Sequence, residues 1–236
     1  MQIEVLYPEQ CNLFGDSGNI RYLKKCLPDA EFINTSLNDT PAFVTSDPDM
    51  IYMGACSESD QERIIKRLLP FKDKLKSAIE HGKVILFTGN APEVLYNYIE
   101  KDGGERVECL GLVDLYTEQR LFDRFNSLVL AEFDGKDIVG FKTQFTHVYG
   151  DNSSSFFAKV KRGVGINKDS MLEGVHIGNM FLTSLVGPLL VMNPYFTEYI
   201  MGLLGVDEPK CAFREQSIKA YNDRVDDFKT CKCVTE

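Results

Sequence analysis

The chain has 236 residues, 44% of them apolar and 26% charged, with a formal net charge of −9 and seven cysteines. An acidic balance of that size excludes a nucleic-acid binder, which needs a basic face, and offers no attraction to an anionic membrane surface. No run of 18 apolar residues occurs, so no membrane insertion is expected. The odd, scattered cysteines and the lack of a charged-then-apolar leader fit reduced thiols in a cytoplasmic protein.

In chain order, residues 3–7 read as a short apolar strand. Residues 18–26 read as a helix, with Asp16 and Ser17 as capping candidates. Strands follow at 31–34 and at 50–53, the second ending at Gly54. Residues 60–81 repeat Ile64, Ile65, Leu68, Leu69, Leu75 and Ile79 at helical spacing, with an interruption at Pro70 and a stop at Gly82. A strand at 84–87 runs into a turn at Thr88 and Gly89, and 92–98 reads as a helix. This alternation with short links predicts a mostly parallel sheet covered on both faces.

The second half changes character. Residues 127–133 and 137–145 alternate around Asp134-Gly135, a hairpin signal. Further strands are expected at 157–162 and 174–180, then a turn and helix through "GPLLVMNPYFTEYIMGLLG", then a polar helix and a frayed tail. There is no repeat and no convincing linker. We therefore expect one α/β domain over 1–205, with 206–236 as a C-terminal helix and tail.

Ligands in open α/β sheets bind beyond the carboxyl ends of the strands. Two such ends carry glycine-flanked turns: "GACSESD" from Gly54 and "TGN" from Thr88. Backbone N–H groups there can cradle an anion or a developing oxyanion. Thr88 sits where a strand-turn-helix elbow places a nucleophile. A threonine hydroxyl needs an adjacent base, however, and catalytic threonines use their own terminal amine. Thr88 therefore reads as structural.

Six blocks in order now carry a resemblance. They are "LYPEQCNLFGDSGNIRYL", "GACSESDQE", "LGLVDLYTE", "VGFKTQFTHV", "KRGVGINKDSMLEGVHIGNMF" and "VGPLLVMNP". The chain resembles the class I glutamine amidotransferases of the CobB/CobQ-like branch. Within that branch it is most similar to the GatD-type amidotransferase subunit of lipid II isoglutaminyl synthase. The resemblance implies a flavodoxin-like class I amidotransferase fold, with a mostly parallel central sheet, helices on both faces and an antiparallel extension. It implies glutamine hydrolysis with ammonia passed to a partner, by a thiolate on the elbow and an imidazole base.

Matched block by block, the family's Cys-Gly-Gly-Tyr-Gln elbow falls on Thr88-Gly89-Asn90-Ala91-Pro92, and the base histidine of His-Gly-Pro falls on Val186. The family's Gly-Phe-Glu-Asn-His falls on "GFKTQ", with Thr143 and Gln144 replacing Asn-His. Asp16, Asn19, Gly54, Gly89 and Glu173 persist. Arg124 lies where the family has an arginine thought to contact the substrate carboxylate. Such a residue, buried at the mouth, suits bidentate binding; otherwise it is a surface group paired with Asp123 or Asp114. Gly54, Ala55, Cys56, Gly89 and Gln144 complete the expected binding wall.

Other candidates read as structural. Cys56, in the oxyanion loop, could replace the lost nucleophile or be inert. Cys11 reads as core, His147 as solvent-facing, His81 as a helix-end residue and His176 as a strand residue. Cys231-Lys232-Cys233 is too small a set for zinc, so no metal is expected, and no cofactor. "GDSGN" is not a phosphate loop, so any ATP would be held by a partner. Three functions remain open: a non-hydrolytic binding or regulatory partner of a Mur-ligase-like protein; a working subunit supplying ammonia to amidate a peptidoglycan precursor or similar carboxylate; or another enzyme or carboxylate-binding protein in the same pocket.

Overall fold

A computed structural model describes residues 1–231 and 234–235, with Phe125, Val234 and Thr235 described by backbone alone. The chain opens with β1 (Gln2–Leu6), α1 (Ser17–Cys26), β2 (Glu31–Thr35), a single-turn α2 (Ala42–Thr45) and β3 (Met50–Met53). Next come α3 (Glu58–Leu68), α4 (Lys72–Glu80) and β4 (Val84–Thr88). Pro70 lies in a 3-10 turn, Leu69–Phe71, which separates α3 from α4 as expected. Ser57 caps α3, its hydroxyl accepting from the Asp60 N–H, so the helix begins two residues before the spacing suggested.

Small strands follow: β5 (Tyr98–Glu100), β6 (Arg106–Glu108) and β7 (Tyr116–Gln119). The long pair β8 (Phe125–Phe133) and β9 (Lys136–Gln144) leads to β10 (Thr146–Tyr149), β11 (Ala158–Arg162), β12 (Leu172–Glu173), β13 (Val175–Ile177) and β14 (Met180–Thr183). Helices α5 (Leu189–Met192), α6 (Pro194–Leu203) and α7 (Arg214–Thr230) and strand β15 (Val234–Thr235) complete the described chain.

The central sheet has the order β13-β14-β4-β3-β1-β2. Every neighbour pair is parallel except β13 with β14. Side-chain alternation along the strands splits the core in two. Ile51, Met53, Ile85 and Phe87 face α3 and α4, through Ile64, Ile65, Leu68 and Leu75. Met50, Tyr52, Val84 and Leu86 face α1, α5 and α6, through Ile20, Leu23, Leu189 and Ile200. The extension forms two further sheets, β10-β7-β5-β6 and β12-β11-β8-β15, with β9 paired to β8, antiparallel as expected except that β5 and β7 run parallel. At its hairpin tip Asp134 and Gly135 take φ of 47° and 70°, the left-handed pair a two-residue turn requires. Helix α7 packs on this extension through Tyr221, Val225 and Phe228 against Leu130 and Val139.

Several expectations are corrected. Residues 92–98 are not a helix. Ala91–Leu95 is a wholly buried 3-10 turn with no polar face, and the alternating "YNYIE" then becomes β5. The single strand expected at 174–180 is a hairpin of β13 and β14 turning at Gly178, whose φ is 57°. Its second arm lies parallel to β4. Asp16 stands at the N-cap of α1 but its side chain does not cap. Of the tail expected to fray, Val234–Thr235 pairs with β8. Lys232 and Cys233, two-thirds of the CxC motif, lie outside the described residues.

Candidate functional site

Strand β4 and the loop after β3 end side by side, as parallel neighbours must, and a cleft opens beyond them. It encloses about 530 Å³ including its mouth. Its walls include Leu13, Phe14, Cys56, Gly89, Asn90 and Val186 on one side. Gln61, Glu93, Arg124, Gln144 and Ser184 contribute from the other elements. Of the residues expected here, Arg124, Cys56, Gly89, Gln144 and Val186 line the cleft. Thr88, Gly54 and Ala55 do not.

Thr88 is the last residue of β4, paired with Thr183, and is 0% exposed. Its hydroxyl turns away from the cleft and donates to Asp16 Oδ2 at 2.6 Å, with the Tyr52 hydroxyl at 3.3 Å. The chain bends one residue later. Gly89 has φ of 65°, and a Cβ built on it would lie 3.2 Å from Val186 Cγ1 and 2.5 Å from the Ala55 Cβ. The elbow tip, the position that faces Val186, is therefore Gly89 and not Thr88. Read from this tip, the elbow is Gly89-Asn90-Ala91-Pro92-Glu93, and the position expected at Pro92 falls on Glu93. The tip carries no side chain. The 2.5 Å separation leaves no room for one while Ala55 keeps its methyl group.

The loop beside the elbow is also closed. The Ala55 N–H donates to Asp16 Oδ2 at 2.9 Å. The Cys56 N–H donates to Asn90 Oδ1 at 2.9 Å, and Asn90 Nδ2 donates back to the Cys56 carbonyl at 3.0 Å. Two backbone donors that could have met an oxyanion are thus satisfied internally. Gly54 is tight because a Cβ there would meet the Cys11 carbonyl at 2.8 Å and Asp16 Oδ2 at 3.0 Å. Asp16 is the hub of this wall: besides Thr88 and Ala55, Asn19 Nδ2 donates to it at 3.1 Å. Burial raises the pKa of its carboxyl, against the pull of those donors. Val186 is fixed by a two-way backbone bridge to Phe141, at 3.1 and 2.9 Å.

The rest of the lining is polar, and part of it touches the elbow, since Gln61 Nε2 donates to the Asn90 carbonyl at 2.8 Å. Glu93 is 4% exposed, and burial pushes its carboxyl up to about 7. The Thr146 hydroxyl donates to one of its oxygens and Gln61 Nε2 to the other, at 3.0 Å. Sequence reading missed Glu93; the signal was a lone acid inside the apolar run "APEVL". Arg124 is exposed, as in the second of the two readings, and not buried at the mouth as in the first. It donates to Thr143 Oγ1 and lies over the Phe145 ring at 4.8 Å. Neither Asp123 nor Asp114 pairs with it: Asp123 engages Lys168, and Asp114 accepts from Asn97. Gln144 Nε2 donates to the Thr146 carbonyl at 2.7 Å. Behind this wall Lys142, the second residue before Gln144, forms a fully buried ion pair with Glu173. Glu173 also accepts from the Thr183 hydroxyl and the Ser184 N–H, both at 2.8 Å.

His147 is buried beside Asp123, its Nε2 3.1 Å from that residue's carbonyl, and does not face solvent. His81 closes α4 on the Ser77 carbonyl, and His176 stacks on Phe181. Neither approaches the cleft.

Residues 2–191 match the model of the CobB/CobQ-like glutamine amidotransferase domain. The chain belongs to that family. The GatD subunit of lipid II isoglutaminyl synthase (glutamine-hydrolyzing) from Staphylococcus aureus is 30% identical over 196 residues, 82% of this chain and 79% of that one. The corresponding Streptococcus pneumoniae subunit is 27% identical over 199 residues, 82% of this chain and 76% of that one. Among solved structures, PurLQS from Thermotoga maritima superposes with a TM-score of 0.54 at 14% identity, covering 95% of this chain and 98% of that one. A glutamine amidotransferase crystal structure gives 0.55 at 15%, covering 86% and 99%. These last two likenesses concern the fold alone.

Proposed function

We propose that this CobB/CobQ-like chain is a GatD-type subunit without glutaminase activity, and that it acts as a binding or regulatory partner of a Mur-ligase-like protein. One observation carries the reading: the elbow tip is Gly89, and Ala55 fills the space a nucleophilic side chain would need. Valine at 186 supplies no base, and the loop N–H groups at 55 and 56 are already bonded. A partner role is supported by the rim. Leu13 and Phe14 line the cleft and are exposed, and exposed apolar side chains at a cleft suit a contact surface.

Glutamine turnover by the purified chain, alone and with a co-expressed Mur-ligase-like protein, tests this. The wild type is expected to be silent in both. Thr88→Cys with Val186→His is expected to stay silent, because position 88 faces Asp16. Ala55→Gly with Gly89→Cys and Val186→His is expected to gain activity. Wild-type turnover would overturn the reading, and failure of the ligase-like protein to co-purify would remove its partner half.

A second reading, binding of a carboxylate in the same cleft, is favoured by Arg124, which has no carboxylate partner among the described residues. Calorimetric titration with glutamine and glutamate, compared with Arg124→Ala, tests it. No heat with either ligand would exclude it.

A further inference from the structure

A second recess opens where the tip of the β8–β9 hairpin meets α6 and β13, and it encloses about 500 Å³ including its mouth. Four rings line it: Phe133 at the end of β8, Phe156 before β11, His176 on β13 and Tyr199 on α6. Phe133 joins them, its ring centroid 5.1 Å from that of Tyr199 and 5.5 Å from that of His176, both edge to face. Phe156, His176 and Tyr199 are half-buried, so each keeps part of its ring on the surface of the recess. Burial lowers the pKa of the His176 imidazole, which is therefore an uncharged ring at neutral pH. Asp134, at the hairpin tip, also lines the recess and is exposed. Glu132 on the same rim is engaged by Lys161, which also holds Asp137, whereas no cation pairs with Asp134 among the described residues. Strand β9 separates this place from the cleft. Its Lys136 end lies here and its Gln144 end lies there, roughly 25 Å apart for an extended strand of nine residues.

We propose that this recess binds the quaternary ammonium group of a small molecule, the rings supplying cation–π contact and Asp134 the counter-charge. The negative face of an aromatic ring attracts a cation within about 6 Å, most strongly where water is excluded. The walls offer rings and one unpaired charge. That set suits a cation which needs no hydrogen bonds better than a primary ammonium, whose three donors would each want an acceptor. Asp134 and Glu132 disfavour an anion. The same contact is already made next door. In the adjoining recess, which shares Phe133, Asp134 and Tyr199, the Lys136 ammonium lies 5.0 Å over the Tyr195 ring. That recess is served by the chain's own cation, whereas no lysine or arginine lines the first. The inference is independent of whether glutamine is hydrolysed or bound in the cleft.

The test is titration of the wild-type chain with choline, followed by NMR of the histidine ring protons at about pH 8, where the imidazoles are uncharged. The chain has three histidines, and they report three places: His176 in the recess, His81 at the end of α4 and His147 on β10. Choline is expected to move the His176 signals alone, with a Kd on the order of millimolar. Its uncharged carbon isostere, dimethylbutanol, is expected to leave them in place, and this comparison needs no variant to fold. Tyr199→Leu should weaken choline roughly five- to tenfold and Asp134→Asn roughly threefold. Asparagine accepts the φ of 47° at position 134, so the hairpin tip is kept. Four results would overturn the proposal: His176 unmoved at tens of millimolar choline; equal movement with dimethylbutanol, which marks an apolar recess only; movement of His81 or His147 to the same extent, which marks non-specific binding; or unchanged affinity in both variants.

Discussion

The two walls of the cleft have had different histories of packing. At the elbow the polar groups of Thr88, Ala55, Cys56 and Asn90 are bonded within the protein. Thr88 and Ala55 satisfy Asp16, Asn90 satisfies Cys56, and the surface left over is glycine against a methyl group and a valine. Elsewhere in the lining Arg124 is exposed, and Glu93 and Gln61 form a buried polar pair that Gln61 ties back to the Asn90 carbonyl. On the proposed reading, the pocket lacks space for a nucleophile at the elbow and keeps a charged group, Arg124, that could hold a ligand.

That contrast can be broken in four ways. The largest effect is expected behind the polar wall. Lys142→Met leaves Glu173 buried without its counter-ion and should cost about 3–5 kcal/mol in urea unfolding. Lys142→Met with Glu173→Gln should cost much less, because the amide oxygen can keep the Thr183 and Ser184 donors. An equal loss in both would show that the charge pair is not what supports this wall.

Next comes the elbow. Gly89→Cys alone should cost about 3 kcal/mol, from crowding against Ala55 and from a left-handed backbone at a non-glycine residue. Adding Ala55→Gly should recover the crowding part. If the single variant unfolds at wild-type urea, the wall is less tightly closed than described.

Glu93 gives a comparable effect that depends on pH. Its folded-state pKa of about 7 lies above the ordinary 4.5, so the folded state holds a proton that the unfolded state gives up between those values. Stability from this group is present below about pH 4.5, falls as pH rises through 7, and is lost above. The full cost is on the order of 3 kcal/mol. Glu93→Gln should flatten the profile in that window and stabilise the chain at pH 8. Asp16 and Glu4 are shifted in the same direction by burial, so a residual slope of the same sign should survive. A wild-type profile flat from pH 5 to 8 would show that Glu93 is not buried as a carboxyl.

The smallest effect belongs to Arg124. It is exposed and bonds only to Thr143 and the Phe145 ring, so Arg124→Ala should change stability by no more than about 0.5 kcal/mol. A larger loss would make it part of the scaffold and not of the ligand face.

Much of the fold was legible because its signals are local. The hydrophobic spacing of α3 and α4, the Pro70 break, the Asp134-Gly135 tip and the glycine stop at 82 each state their own conformation. What escaped was set by tertiary partners. Ala91–Leu95 has no amphipathic period because it is buried on every side, and β7 and β10 are strands because they find each other. The site was legible to within one residue. Matching placed the elbow on Thr88, but strand length and the positive φ of Gly89 decide where the chain bends, and neither is written in residue identity. Asn90 as a plug for Cys56 and Ala55 as a filler are visible only as distances.

The 2.5 Å that would separate a Cβ at position 89 from the Ala55 Cβ also shapes the mutational paths open to this chain. Restoring a side chain at 89 first meets a clash, and trimming Ala55 first opens a void, so either single step is a descent before any gain. On the proposed reading, placing a nucleophile and a base here requires crossing that valley with both changes together and a third at 186. A small combinatorial library would therefore have to vary 55, 89 and 186 together, with 90 included because Asn90 holds the Cys56 N–H.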